Sequence, residues 1–318
     1  MKRLIAALTA LTLLAFCACS SQTDNASSAE DIGVVTFTDA LDREVTVSKN
    51  PERVAALIGS FADVWLLSGG EVCAAAEDAW DDFGLELGDA VNIGGAHSPS
   101  LEALLSANPD FVIASASTSA DVELKESLEN AGVTTAYFDV DCFEDYLSML
   151  DICTDITGRK DLFEKNGKSI ESQIKAIKDE CLNSDLTEEE RTVLLLRASA
   201  SSVKAKGSEG TILGEMLSDL GCINIADSDK SLLENLSVES VIRREPYRIF
   251  VVTMGDDTEK AMDNLTRMMK EDPAWGSLEA VKENRMYIMD RRLFNIKPNA
   301  KWAESYEKLG EILLEKTK

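Results

Sequence analysis

The chain has 318 residues, 45% of them hydrophobic, which is enough to bury two cores of ordinary size. Its 57 acidic residues against 32 Lys and Arg leave a formal net charge of −25. A surface of that sign repels a phosphate backbone and argues against nucleic acid as a partner. It leaves a membrane open, provided attachment is covalent and not electrostatic.

The N-terminus reads as a processed segment. Met1-Lys2-Arg3 is basic, and Leu4 to Phe16 is an apolar run too short to span a bilayer. Phe16-Cys17-Ala18-Cys19-Ser20 follows. A small residue before a Cys, after such a run, resembles the lipobox of bacterial lipoproteins. Ala18 marks Cys19 as the lipidated residue, whereas Cys17 follows a bulky Phe. The expectation is a signal peptide with lipidated Cys over residues 1–19, a polar tether over 20–33, and an extracytoplasmic protein held to the cell membrane by its lipid. The remaining cysteines, Cys73, Cys142, Cys153, Cys181 and Cys222, have irregular spacings and no C-x-x-C, so disulfides are permitted but not demanded. With one His in the chain, a zinc site is not expected.

After the tether, Val34–Thr38 and Glu44–Val47 flank a polar turn and predict a β-hairpin. Strands are predicted at 53–58, 72–76, 111–114 and 134–138, with helices at 61–67 and 121–131 between them. Residues 143–156 are helical. After Gly158 the run from about 160 to 182 has no Pro and one Gly, and Leu162, Phe163, Ile170, Ile174 and Ile177 recur at close to helical spacing. At ~1.5 Å per residue such a helix exceeds 30 Å. A second series follows: strands at 192–196, 222–225, 248–252 and 286–289, and helices at 210–220, 257–270 and 298–316. Strands alternating with helices mean parallel sheets.

One signature occurs twice. Ser100-Leu-Glu102 runs to Pro109 and an apolar strand, and Ser237-Val-Glu239 runs to Pro246 and another. Each copy has a Ser before a short helix, a Glu at its second position, and a Pro seven residues later that ends it. A second echo precedes each copy, Gly59 to Gly70 and Gly210 to Gly221. Two matched α/β lobes follow from this.

Together these stretches resemble the substrate-binding proteins of ABC importers for iron-siderophores, haem and cobalamin. The resemblance rests on Asp39-Ala-Leu-Asp-Arg43, Asn50-Pro51-Glu-Arg53, Pro99 to Asp110, Ile156-Thr-Gly158-Arg159-Lys160, Trp275 to Val281, and Lys297-Pro298-Asn299 to Glu304. It covers about residues 34 to 315, and the order of the motifs is stronger than any one of them. It implies an α/β fold of two Rossmann-like lobes with parallel-rich sheets, joined by one long α-helix, with a first lobe at 34–158, the linking helix at 159–183 and a second lobe at 184–318. It implies capture of a metal chelate between the lobes, a ferric siderophore first and haem or a corrinoid second, and delivery to ABC permease subunits. Glu102 and Glu239 would be the two carboxylates that dock on the permease. The plain alternative for each is an exposed first-turn Glu favoured by the helix dipole, worth ~0.3–1 kcal/mol.

Ligands of parallel α/β lobes bind outside the C-terminal strand ends. That rule selects Phe61, Trp80, His97, Ser98 and Ser117 on the first lobe, and Arg197, Arg291, Arg292 and Phe294 on the second. Trp80 is the expected aromatic contact, with a partly buried packing role as its alternative. His97 is more often a hydrogen-bonding loop residue than an iron ligand. Three arginines converging on one cleft would favour an anionic chelate, with salt bridges to neighbouring acids as the alternative. A bare transition-metal ion needs several His and carboxylate ligands, so an intact complex is expected, with no resident metal or cofactor.

An enzyme is not expected. The chain lacks G-x-S-x-G, a Walker A loop and G-x-G-x-x-G after a strand. A surface receptor or adhesin that keeps the lobes but serves no permease is the remaining class, and the presence of both Glu102 and Glu239 speaks against it.

Overall fold

The computed structural model describes residues 33–255 and 257–315; the leader, Cys19, nearly all of the tether and the last three residues lie outside them. The chain enters through an antiparallel hairpin, β1 (Val34–Thr38) and β2 (Glu44–Ser48). Buried Asp39 ties this hairpin to the first lobe. Its carboxylate accepts from Leu41 N, Arg43 N, the Arg43 guanidinium and, 98 residues away, Tyr137 N.

The first lobe is a five-stranded parallel sheet of β3 (Val54–Ala56), β4 (Val72–Ala75), β5 (Val91–Asn92), β6 (Phe111–Ser115) and β7 (Thr134–Phe138), in the order β5-β4-β3-β6-β7. The second contains β8 (Thr192–Ala198), β9 (Val203–Lys206), β10 (Ile223–Asn224), β11 (Arg248–Thr253) and β12 (Met286–Ile288). The order is β10-β8-β11-β12, all parallel, with β9 antiparallel on β8. The alternation of strands and helices therefore carries through to two parallel-rich sheets. The two-residue β5 and the β9 return strand are additions to the predicted elements, too short or too polar to stand out in the pattern.

The helix expected over 121–131 is broken into Ser119–Glu123 and Lys125–Asn130. Asp121 causes the break. Its carboxylate turns back to accept from Ser115 N at 2.8 Å, and its carbonyl takes the Tyr137 hydroxyl at 3.1 Å. A carbonyl recruited by tertiary structure is less available to an i+4 amide, and Leu124 N closes on it at i+3 instead.

The linking helix is continuous but not uniform. An α-turn at Lys160–Phe163 passes into a π-helical segment at Glu164–Lys168 and then an α-helix at Ser169–Leu182. The single Gly of this run explains the widened turn. A Cβ on Gly167 would lie 2.8 Å from Leu147 Cδ1, so only Gly lets the backbone sit this close to the helix Phe143–Thr157. The widened turn frees a carbonyl, and Tyr146 donates to Asn166 O at 2.9 Å while Asn166 Nδ2 donates to Leu67 O at 2.8 Å.

The last helix, Trp302–Leu314, lies along Ser169–Leu182, with Gly310 placed against Ile177. At its start Trp302 is fully buried, edge-on to Phe143 at 6.0 Å and 6.4 Å from Tyr306. One apolar cluster therefore runs from the hairpin (Val45, Val47) through Phe61, Trp65 and Phe143 to Val193, Phe250 and Tyr306, across both lobes. Trp302→Ala should cost about 3–5 kcal/mol of unfolding free energy, the range for a large buried aromatic. Equilibrium urea unfolding measures it; a loss under about 1 kcal/mol, the scale of a surface substitution, would contradict the shared core.

Candidate functional site

The strand ends of both sheets face a cleft of about 560 Å³. That volume lies in the usual range for small-molecule sites. A wider groove of about 870 Å³ between the linking and C-terminal helices is lined by Glu180, Glu307 and Glu311 among others. It lies away from the strand ends and brings together no functional groups predicted from the sequence.

The first-lobe wall is built on glycine. Gly59 opens the helix Gly59–Leu67, and a Cβ there would come within 2.5 Å of Ala79 N. Without it, Gly59 N donates to Asp78 Oδ2 at 2.9 Å, locking the short helix Asp78–Asp81 onto the cleft rim. Glu77, Asp78, Asp81, Asp82 and Phe83 line this wall, with His97, Ser98 and Thr118 beside them. Burial raises the pKa of Asp78 above the ordinary carboxylate value.

On the opposite wall Arg197 stands at the end of β8, half-buried in the cleft. Its Nε is buried without a hydrogen-bond partner, and among the described residues no carboxylate forms a salt bridge with it. Burial accordingly depresses its pKa. Lys206 on β9 is depressed as well, first by burial and then by Arg197 and Lys204, so the sheet face around Arg197 is cationic.

Arg291 and Arg292 are differently employed. Arg291 forms a two-pronged salt bridge with Asp82 across the cleft, Nη2 to Oδ2 at 2.9 Å. Arg292 reaches Asp63 at 3.4 Å, donates to Lys297 O at 2.9 Å, and lies 4.3 Å above the Phe83 ring. Asn299, fully buried with φ of 56°, adds bonds from Nδ2 to Ser60 O and Asp63 Oδ2, both at 2.8 Å. The conformation suits Asn, which tolerates the left-handed region. These two arginines thus fasten one lobe to the other, the salt-bridge alternative of the sequence reading.

Other predicted contacts lie elsewhere. Trp80 packs, half-buried, on the small-residue cluster of Ala56, Ala62, Ala75 and Ala79, on the far side of its one-turn helix; the aromatic on the cleft is Phe83. Phe61 is wholly buried edge-on to Phe138, and Phe294 is a core residue 2% exposed. Ser117 is exposed with its Oγ 3.1 Å from Ser115 Oγ, and its neighbour Thr118 lines the cleft. His97 and Ser98 are exposed on the wall, and Lys297, absent from the predicted set, is at its floor, its pKa lowered by burial against the pull of Asp141, Asp139, Asp145 and Asp78. The acids at 77–82 are a visible run in the sequence. The pairing of Asp82 with Arg291, 209 positions away, is not.

The repeated signature is repeated in structure. Glu102 and Glu239 are exposed second residues of helices Leu101–Ser106 and Val238–Arg244. Ser100 Oγ accepts from Ala103 N at 3.2 Å, and Ser237 Oγ from Ser240 N at 3.4 Å. The residues before the two prolines, Asn108 and Glu245, are both left-handed, at φ of 49° and 45°. Ser237 also donates to Glu239 at 2.7 Å, which lowers that carboxyl's pKa.

A family model described as periplasmic binding protein matches residues 54–293, from β3 to the cleft helix of Arg291. The chain belongs to the periplasmic binding protein family. It is 24% identical over 312 residues to the ABC transporter substrate-binding lipoprotein YvrC of Bacillus subtilis, covering 97% of this chain and 95% of that one. The Fe(3+)-citrate-binding protein YfmC of the same organism is 26% identical over 279 residues, covering 86% and 84%. Among solved structures, Staphylococcus aureus SirA complexed with staphyloferrin B superposes with a TM-score of 0.66 at 19% identity, covering 88% of this chain and 97% of that one. The siderophore-binding protein BauB does so at 0.70 and 15%, covering 88% and 99%. The two-lobed fold is shared with these proteins. The family places this periplasmic binding protein among transport components and not enzymes. No helix of the described residues is long and apolar enough to cross a membrane.

The buried Asp121 behind the first wall gives a pH prediction. Burial pushes its pKa up to about 7, well above the ordinary carboxylate range. The folded state then holds a proton that the unfolded chain releases, so Asp121 contributes stability at low pH that is lost as pH rises through about 7. Asp121→Asn should flatten the fall in melting temperature between about pH 4 and pH 7, the interval between the ordinary and the raised carboxyl pKa. An unchanged pH slope would mean the carboxyl is already ionised at pH 5.

Proposed function

We propose that this binding protein captures an intact metal chelate, most readily a ferric siderophore, in the cleft and presents it to an ABC permease. The observation that carries this is Arg197: a guanidinium half-buried in the cleft and without a partner among the described residues, in a chain of net charge −25. A cation held out of water without a counter-charge is ready for a ligand's carboxylate or other anionic oxygen. The name of the ferric-citrate-binding relative is consistent with a chelate of that kind. Among the described residues no three His, Cys, Asp or Glu side chains are grouped to hold a bare ion, and the ligand considered is therefore the whole complex.

Arg197→Ala should weaken a ferric siderophore by ~1.5–3 kcal/mol, the worth of a charge-assisted hydrogen bond. Titration calorimetry over a panel of ferric siderophores, haem and cobalamin is the direct measurement. A preference for haem or cobalamin would move the ligand class within the same transporter type, and affinity unaffected by Arg197→Ala would remove that residue from the site.

The exposed Glu102 and Glu239 are proposed to meet cationic pockets of the permease, one from each lobe. Rim charges of this kind act on encounter and register more than on the ligand cleft. Reversal of either to Lys should reduce uptake with soluble ligand affinity nearly intact, and reversal of both should reduce it further. Normal uptake in the double reversal would return both residues to exposed first-turn carboxylates favoured by the helix dipole. The proposed anchor is a lipid on Cys19; Cys19→Ala should release the protein from membranes of its native host, and unchanged pelleting would refute that attachment.

A further inference from the structure

The cleft is segregated by charge. Among the described residues, the first-lobe wall carries four carboxylates and no Lys or Arg, and the second-lobe wall carries Arg197, Arg291 and Lys297 with no Asp or Glu. Asp82 is satisfied by Arg291. Lys297 is half-buried over the Phe61 ring and feels the pull of Asp141, Asp139, Asp145 and Asp78, with no salt bridge among the described residues. What remains unpaired is a positive pole at Arg197, reinforced by Lys206, and a negative pole at Glu77 and Asp81 with Asp78 behind them. No salt bridge to Glu77, Asp78 or Asp81 exists among the described residues.

From this we infer that the preferred ligand is dipolar: a ferric chelate bearing carboxylates at one end and a protonated amine at the other. The inference rests on the reading of this cleft as the chelate site and names the ligand's charge pattern. A purely anionic chelate gains at Arg197 and is repelled at Glu77 and Asp81. An uncharged macrocycle satisfies neither pole and leaves the guanidinium desolvated without a partner. Only a ligand with both signs, in the right order, matches both walls and fixes its own orientation.

A matched pair of probes tests this. One is the ferric complex of citrate mono-propylamide. The other is the ferric complex of the citrate mono-amide of ethylenediamine, which keeps the same carboxylates and carries one protonated amine in place of the terminal methyl. The wild-type protein should bind the amine-bearing complex more tightly, by roughly two- to fivefold, the worth of one exposed charge contact. The decisive variant is the double substitution Glu77→Gln and Asp81→Asn. Both side chains are exposed and hold no hydrogen bond in the fold, so folding should be unaffected. This variant should weaken the amine-bearing complex and tighten the propylamide complex, changes of opposite sign that a general loss of cleft integrity cannot produce. Arg197→Ala should weaken both.

Equal wild-type affinities, or changes of the same sign in the double variant, would overturn the dipolar ligand while leaving chelate capture intact. If neither citrate complex binds the wild-type protein, the inference falls as well. The siderophore panel then decides separately whether the cleft takes chelates at all.

Discussion

The fold depends on a single shared contact region, the place where Trp302 enters the core beside Phe143. Most of each lobe is built from its own sheet, but the apolar cluster around Trp302 belongs to both. The C-terminal helix starts there and runs back along the linking helix, so the junction is two packed helices and not a single strut. Gly167 and Gly310 permit that closeness at the two points where a Cβ would press on Leu147 and Ile177. Dense packing of this kind resists continuous deformation, and a cleft framed by it is largely formed before ligand arrives.

The polar cross-links repeat the theme at the cleft itself. Arg291 with Asp82, Arg292 with Asp63, and Asn299 with Ser60 all join residues more than 200 positions apart. Partly buried pairs of this sort are modest contributors to stability, because desolvation offsets much of their attraction. Their consequence for function lies in what they leave over. By engaging two arginines and two acids, they leave Arg197 and Lys297 as the cleft cations without a salt bridge among the described residues.

The lobes, the hairpin and the matched Ser-x-Glu helices were legible because each rests on local rules: alternation of strand and helix, a cap residue, a proline stop. The linking helix was legible for the same reason, though its π-helical turn was not, since the cause is Leu147 on another helix. The lining of the cleft was legible only where the strand-end rule applied directly, as at Arg197, His97 and Ser98. Trp80 and Phe83 show the limit. They are three positions apart on a short helix and loop, and which one faces the cleft depends on the alanine-lined floor that Trp80 covers. The roles of Arg291 and Arg292 were equally hidden, since a charge's partner across two lobes leaves no periodicity in the chain.

A preformed cleft held by a shared core predicts little relative motion of the lobes. Hinge closure in two-domain binders relies on a few flexible connections that absorb large backbone changes, and a helix braced by a second helix does not supply them. Small-angle X-ray scattering of the protein alone and saturated with its best-binding ferric chelate tests this most directly. The account predicts a radius of gyration unchanged within experimental error; a clear contraction on loading would show that the Trp302 junction yields and would contradict it.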